Sequence, residues 1–181
     1  MVFDEDIKIA GSKPSQDIKQ SKNQNSCEEI LSETEMISAK QLGKRIAEKF
    51  CADNEEFSIA NEEFDSQMAL QRRLLLSFTA SISFERYCKS DSVAGIAQKS
   101  FIDEIKNISG LLYDTSSDTG AFSFYYLAVR RGGEIERRIG QTFAMLCSHD
   151  GDPVYQELGE ALYCWFSSSI EKAINELDLN K

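Results

Sequence analysis

Histidine, tryptophan and proline are nearly missing from this chain, which has one, one and two of them. With His149 as the only imidazole, a ferritin-like di-iron centre is excluded. That centre takes a Glu-x-x-His pair from each of two helices, and the residue three before His149 is Leu146. The five cysteines (Cys27, Cys51, Cys88, Cys147 and Cys164) contain no Cys-x-x-Cys pair. Zinc sites usually draw ligands from two separated pairs, and beside Cys147 and His149 no second pair exists, so no metal is expected. Gly-x-x-x-x-Gly-Lys-Ser/Thr, Gly-x-Gly-x-x-Gly, Gly-x-Ser-x-Gly and His-Glu-x-x-His are all absent. Their absence removes the familiar phosphate-cradling, dinucleotide, serine-hydrolase and zinc-protease designs, and with them any implied cofactor.

Positive charge is also in deficit, with 20 Lys and Arg against 30 Asp and Glu and a net charge of −10. Such a chain repels the phosphates of nucleic acid and the surface of an anionic membrane, so neither is an expected partner. No apolar run approaches the ~20 residues that span a bilayer. The N-terminus, Met1-Val2-Phe3-Asp4-Glu5-Asp6, is acidic where a secretory signal needs cations. Odd, scattered cysteines suit reduced thiols packed as small hydrophobes, and a cytoplasmic location is the expectation.

What is present is a globular balance of 41% hydrophobic and 28% charged residues over 181 positions, enough for one core and an appendage. Residues 1–35 are rich in Ser, Lys, Gln, Asn and acidic side chains, and their apolar stripe is too thin to repay ordering. They read as a poorly ordered polar tail before a single helical domain over 36–181. In that domain Ile37, Leu42, Ile46, Ala47 and Phe50 fall at helical spacing, giving a first helix to about Ala52. Asp53 to Asn61 reads as a polar connection. Between Ser66 and Lys89 apolar residues cover well over half of a helical surface, marking a central helix. Ser77, Thr79, Ser81 and Ser83 within it suit close packing and hydroxyls bonded back to the preceding turn.

Ser90-Asp91-Ser92 offers an N-cap for a helix through Val93, Ala97, Phe101, Ile105, Ile108 and Leu112, with Gly110 as a stop or bend. Ala121 to Val129 is apolar almost all round. It reads as a buried helix because no strand is available to pair with it, and Arg130-Arg131-Gly132-Gly133 is a cationic last turn followed by a glycine stop. Ile135, Ile139, Phe143 and Leu146 define the next helix. Asp152-Pro153 opens the last, which carries Val154, Leu158, Leu162, Trp165, Phe166, Ile170, Ile174 and Leu177. The expected fold is all-α, a compact bundle or array of about six helices with short antiparallel connections.

Few clusters suggest chemistry. Glu157-Leu-Gly-Glu160 supplies one of the two acidic steps that a magnesium-dependent helical hydrolase needs, and its partner step is missing. Cys147-Ser-His149-Asp150-Gly-Asp152 gathers a thiol, an imidazole and two carboxylates, and reads more simply as a helix end and a capped turn. Ser38 to Phe50 has the look of one helix of a helix-turn-helix reader, but no recognition helix follows it. No catalytic residue is assigned.

The most informative stretch is Arg130-Arg131-Gly-Gly-Glu134-Ile-Glu136-Arg137-Arg138, because residues 118–149 sum to about +1 in an acidic chain. Glycines before a helix N-terminus expose N–H groups, and arginines bind carboxylate or phosphate through paired N–H donors. Two expectations follow. The first is a non-enzymatic module that binds a protein partner or itself. The alternative is a binder of, or an enzyme acting on, a small phosphorylated or carboxylated ligand held by Arg130, Arg131, Arg137, Arg138, Tyr125 and Tyr126, with His149 nearby.

Overall fold

The computed structural model describes residues 31–60, 66–115 and 119–181. Residues 1–30, most of the expected tail, lie outside them. The described residues form seven helices and no strand beyond an isolated bridge between Cys88 and Asn180. The helices are α1 (Glu33–Ala60), α2 (Ser66–Tyr87), α3 (Asp91–Ile108), α4 (Gly110–Thr115), α5 (Thr119–Arg130), α6 (Ile135–Leu146) and α7 (Pro153–Glu176).

Helix α1 departs from expectation at both ends. It begins inside the stretch read as tail, because Ser32-Glu33-Thr34-Glu35 is a capping box. The Ser32 N–H and hydroxyl each donate to Glu35 Oε2 at 2.8 Å, and the Glu35 N–H donates to Ser32 Oγ at 3.2 Å. Two otherwise orphaned donors are thereby satisfied, and Leu31 just before the cap packs against the core. At the other end α1 runs through Asp53 and Asn54 instead of stopping at Ala52. Buried Arg72 of α2 pairs with Asp53 and donates to Asn54 Oδ1 at 3.2 Å, while Asn54 Nδ2 donates to the Phe50 carbonyl at 2.7 Å. Polar residues that looked like a connection are an internal polar joint between α1 and α2.

Helix α2 is central, as its composition implies: every residue from Leu74 to Ala80 is buried. Thr79 Oγ1 and Ser81 Oγ donate to the carbonyls of Leu75 and Ser77, four residues back, and Ser83 Oγ reaches Ser167 Oγ of α7 at 3.2 Å. Two apolar clusters flank the α2–α7 pair. One joins Leu42, Ile46 and Phe50 of α1 to Val93, Phe101 and Ile105 of α3 and Phe166 and Ile170 of α7. The other joins Leu75 and Phe78 of α2 to Tyr125, Ile139, Phe143 and Tyr163.

Close helix approach sets both flanks. A Cβ on Gly43 would stand 2.3 Å from the Ala97 carbonyl oxygen, and one on Gly140 would stand 2.3 Å from that of Gln156. The expected break near Gly110 falls one residue earlier. Ser109 is extended (φ −152°, ψ 106°), its N–H closing α3 on Ile105 and its hydroxyl accepting the Leu112 N–H of α4. This hinge makes the seventh helix. The start of α7 follows expectation, with Asp152 accepting the Val154 N–H at 2.9 Å and Pro153 in the first turn.

The C-terminal residues return to the end of α2. Lys89 N–H donates to Leu179 O at 2.8 Å, Lys181 N–H donates to Tyr87 O at 3.2 Å, and Leu179 is buried. Lys89 also pairs with Glu35, so the start of α1, the end of α2 and the chain terminus meet at one place.

Candidate functional site

The α5–α6 hairpin carries the arginine-rich stretch. Helix α5 ends as its sequence implies. The Gly132 N–H donates to Val129 O at 3.1 Å, and Gly132 and Gly133 take φ values of 64° and 74° that a side chain would strain. Arg138, one turn into α6, reaches back and donates to the Gly132 carbonyl, which ties the turn shut.

The four arginines do not converge. Arg131 and Arg138 line one groove of about 410 Å³ between α5 and α6, together with Phe124, Leu127, Ala128, Gln141, Thr142, Met145 and Asp150. Arg137 is exposed outside it and pairs with Glu134 one turn away at 3.1 Å, a contact of little energy in solvent. Arg130 is exposed and does not line the groove.

Of the two tyrosines expected at the site, Tyr125 belongs to the core and Tyr126 packs half-buried against it. Tyr125 is fully buried and stacks on Phe78 with ring centroids 5.2 Å apart, and Tyr126 meets the same ring edge-on at 5.1 Å. Burial, with Cys147 adding, pushes the Tyr125 hydroxyl well above its ordinary pKa; burial and then Glu85 raise that of Tyr126. The helical turn places residues 125 and 126 toward the core when 124, 127 and 131 face out. What sequence reading missed is this outer face. Phe124, Leu127 and Met145 are 48%, 51% and 40% exposed, an apolar floor beside the two arginines. The signal was an all-round apolar α5, which has more greasy surface than one core face can cover.

Electrostatically the groove is graded. Arg131 and Arg138 stand at the closed, hairpin end, and Asp150 lies beyond the C-terminus of α6. Among the described residues Arg131 makes no ion pair, leaving its donors for an incoming group.

The remaining sequence clusters resolve as structure. Cys147 is buried at the C-cap of α6, and His149 lies flat on Tyr155 with ring centroids 3.8 Å apart. Asp152 is engaged in capping α7. No group of three or more His, Cys, Asp or Glu side chains able to hold a metal occurs among the described residues. Leu42, Ile46 and Phe50 spend the helix that looked like a DNA reader on packing with α3. Cys51 and Cys88 are buried, and desolvation lifts each thiol to about 11, too high for a ready nucleophile. Cys164 is exposed, against the expectation that the thiols pack inside; partial burial and then Glu136 and Glu160 still raise its pKa. No helix among the described residues is long and apolar enough to cross a membrane.

No protein-family model matches the chain, and neither a curated protein nor a solved structure is significantly similar to it.

Proposed function

We propose that this chain is a non-enzymatic interaction module that takes an apolar segment bearing carboxylates, contributed by a partner protein, into the α5–α6 groove. The observation that carries the reading is the pairing of three exposed large apolar side chains, Phe124, Leu127 and Met145, with Arg131 and Arg138 on one surface. Two adjacent antiparallel helices with an apolar valley between them accept a peptide through side-chain anchors. Arginine adds carboxylate recognition through paired N–H donors. In a chain of net charge −10 this locally cationic groove is a favoured landing point for an acidic segment.

The same arginines favour a second, smaller occupant, a phosphorylated or carboxylated metabolite, with the apolar floor left uncovered. Peptide display against the full-length chain separates the two. Selected peptides should combine large apolar residues with Asp or Glu, and both Leu127→Asp and Arg131→Glu should abolish their binding. Peptides indifferent to both substitutions would overturn the segment reading. A thermal shift with inorganic phosphate or citrate that is lost in Arg131→Glu, with no peptide selected, would establish the small-anion reading instead. A ligand at a hundredfold excess over its Kd stabilises by about 2.7 kcal/mol, which such a melt resolves.

A further inference from the structure

A second apolar surface runs along the outer face of α7. Val154, Leu158, Ala161 and Trp165 are spaced four, three and four residues apart, which keeps them on one line of the helix. Val154 is 69% exposed, Leu158 36% and Trp165 41%, and Ala161 is exposed as well. The opposite face of the same helix, through Tyr163, Phe166, Ile170 and Ile174, supplies the core. Helix α7 is thus apolar on two sides, and burying its core face accounts for only one of them.

From the line of these four residues we infer that α7 pairs antiparallel with α7 of a second copy of this chain. The stripe is symmetric about its midpoint between Leu158 and Ala161, so a two-fold axis there sets Val154 against Trp165 of the second copy, and Leu158 against its Ala161. The small Ala161 lets the helices approach closely where they cross, and Trp165 supplies a large aromatic anchor at each end of the stripe. Charge follows the same symmetry. At the N-terminal end of the stripe stands the turn Asp150-Gly151-Asp152. At the C-terminal end Lys49 lies over the Trp165 ring, 5.0 Å from its centroid, with its Nζ 3.1 Å from Ser169 Oγ, and the exposed Lys172 continues the line. Reversing one copy brings the acidic turn of each against the lysines of the other, and a parallel arrangement would oppose like ends. The apolar stripe is about 16 Å long, so it buries less than the roughly 1,200 Å² that marks stable complexes, and the pairing is reversible. It does not depend on the α5–α6 groove, and failure of that reading leaves it intact.

Sedimentation velocity on the full chain over a concentration series tests it, with fluorescence of Trp165, the only tryptophan, as a local reporter. A monomer at dilution should become a dimer as concentration rises, and the emission should move to shorter wavelength over the same range. Leu158→Lys should raise the dimer Kd more than about tenfold. Its side chain lies at the surface, more than a third exposed, so at dilution, where the native chain is a monomer, the two melting temperatures should differ little. Lys49→Glu with Lys172→Glu should weaken the dimer at low salt and leave it nearly unchanged at high salt. A monomer at every concentration would overturn the inference. So would a dimer that survives Leu158→Lys, or Trp165 emission already shifted and insensitive to dilution, which would mean that other residues of the same chain cover the stripe.

Discussion

Tyr125 shows how a residue chosen for its chemistry turns out to serve packing. Its ring is buried between α2 and α6, and its hydroxyl has no hydrogen-bond partner among the described residues. A buried hydroxyl that has left water without a partner is a net loss, so Tyr125→Phe should stabilise the chain by about 1 kcal/mol in denaturant titration, with peptide binding to the groove unchanged. Destabilisation, or a lost ligand, would restore the tyrosine to the site. Ser148 and Asp178 sit in the left-handed region with φ of 64° and 53° and end α6 and α7 in the same way. The residue after each donates to a carbonyl five positions back, His149 to Ala144 and Leu179 to Ile174. Glycine marks such a stop at Gly132, so the end of α5 was legible from its residue type. Where serine and aspartate do the same work, residue type does not show it.

At the scale of the element, the glycines divide by what surrounds them. Gly140 of α6 lets α7 approach until a Cβ would meet the Gln156 carbonyl oxygen, whereas a Cβ on Gly95, in the interior of α3, would meet nothing within 4 Å. Gly140→Ala should therefore cost about 1–3 kcal/mol. Gly95→Ala should stabilise by roughly 0.5–1 kcal/mol, because alanine loses less backbone freedom on entering a helix. Equilibrium unfolding of the two variants checks the pair, and equal effects would refute the close α6–α7 approach. The four-residue step from Gly140 to Ala144 announces such packing. The polar joint does not announce itself: Asp53 and Asn54 look like loop residues until Arg72, eighteen positions beyond Asn54, is folded against them.

For the whole molecule, a single charge pair, Glu35 with Lys89, ties the start of α1 to the place where the end of α2 meets the C-terminal residues. Lys89 and Ser32 hold the Glu35 carboxyl down from its ordinary 4.5 to about 2, the Lys89 hydrogen bond being the main cause. A depressed carboxyl favours the folded state at pH above its unfolded value, and that contribution fades as pH falls from about 4.5 toward 2. Thermal melts across this window should show a loss of stability that Glu35→Gln makes smaller, since glutamine keeps capping contacts but has no charge to lose. Glu35 is partly exposed, so salt should shrink the effect as well. An identical acid profile in the variant would show that the contact does not matter to stability.

Sequence by itself determined the fold class and most of the helices, because apolar spacing, an Asp-Pro start and a Gly-Gly stop are local signals written in consecutive residues. It also located the region of the candidate site, since a cationic run in an acidic chain is a matter of composition. Only tertiary structure decided which arginines share a surface, that Tyr125 and Tyr126 turn inward, and that Asp53 and Asn54 lie inside a helix. Each of these depends on which face of a helix a neighbour covers, and that neighbour comes from a distant part of the chain. The same reason hid the outward stripe of α7: Trp165 and Phe166 look alike in sequence, and the packing of α1, α2 and α6 against one side of the helix is what leaves the other open.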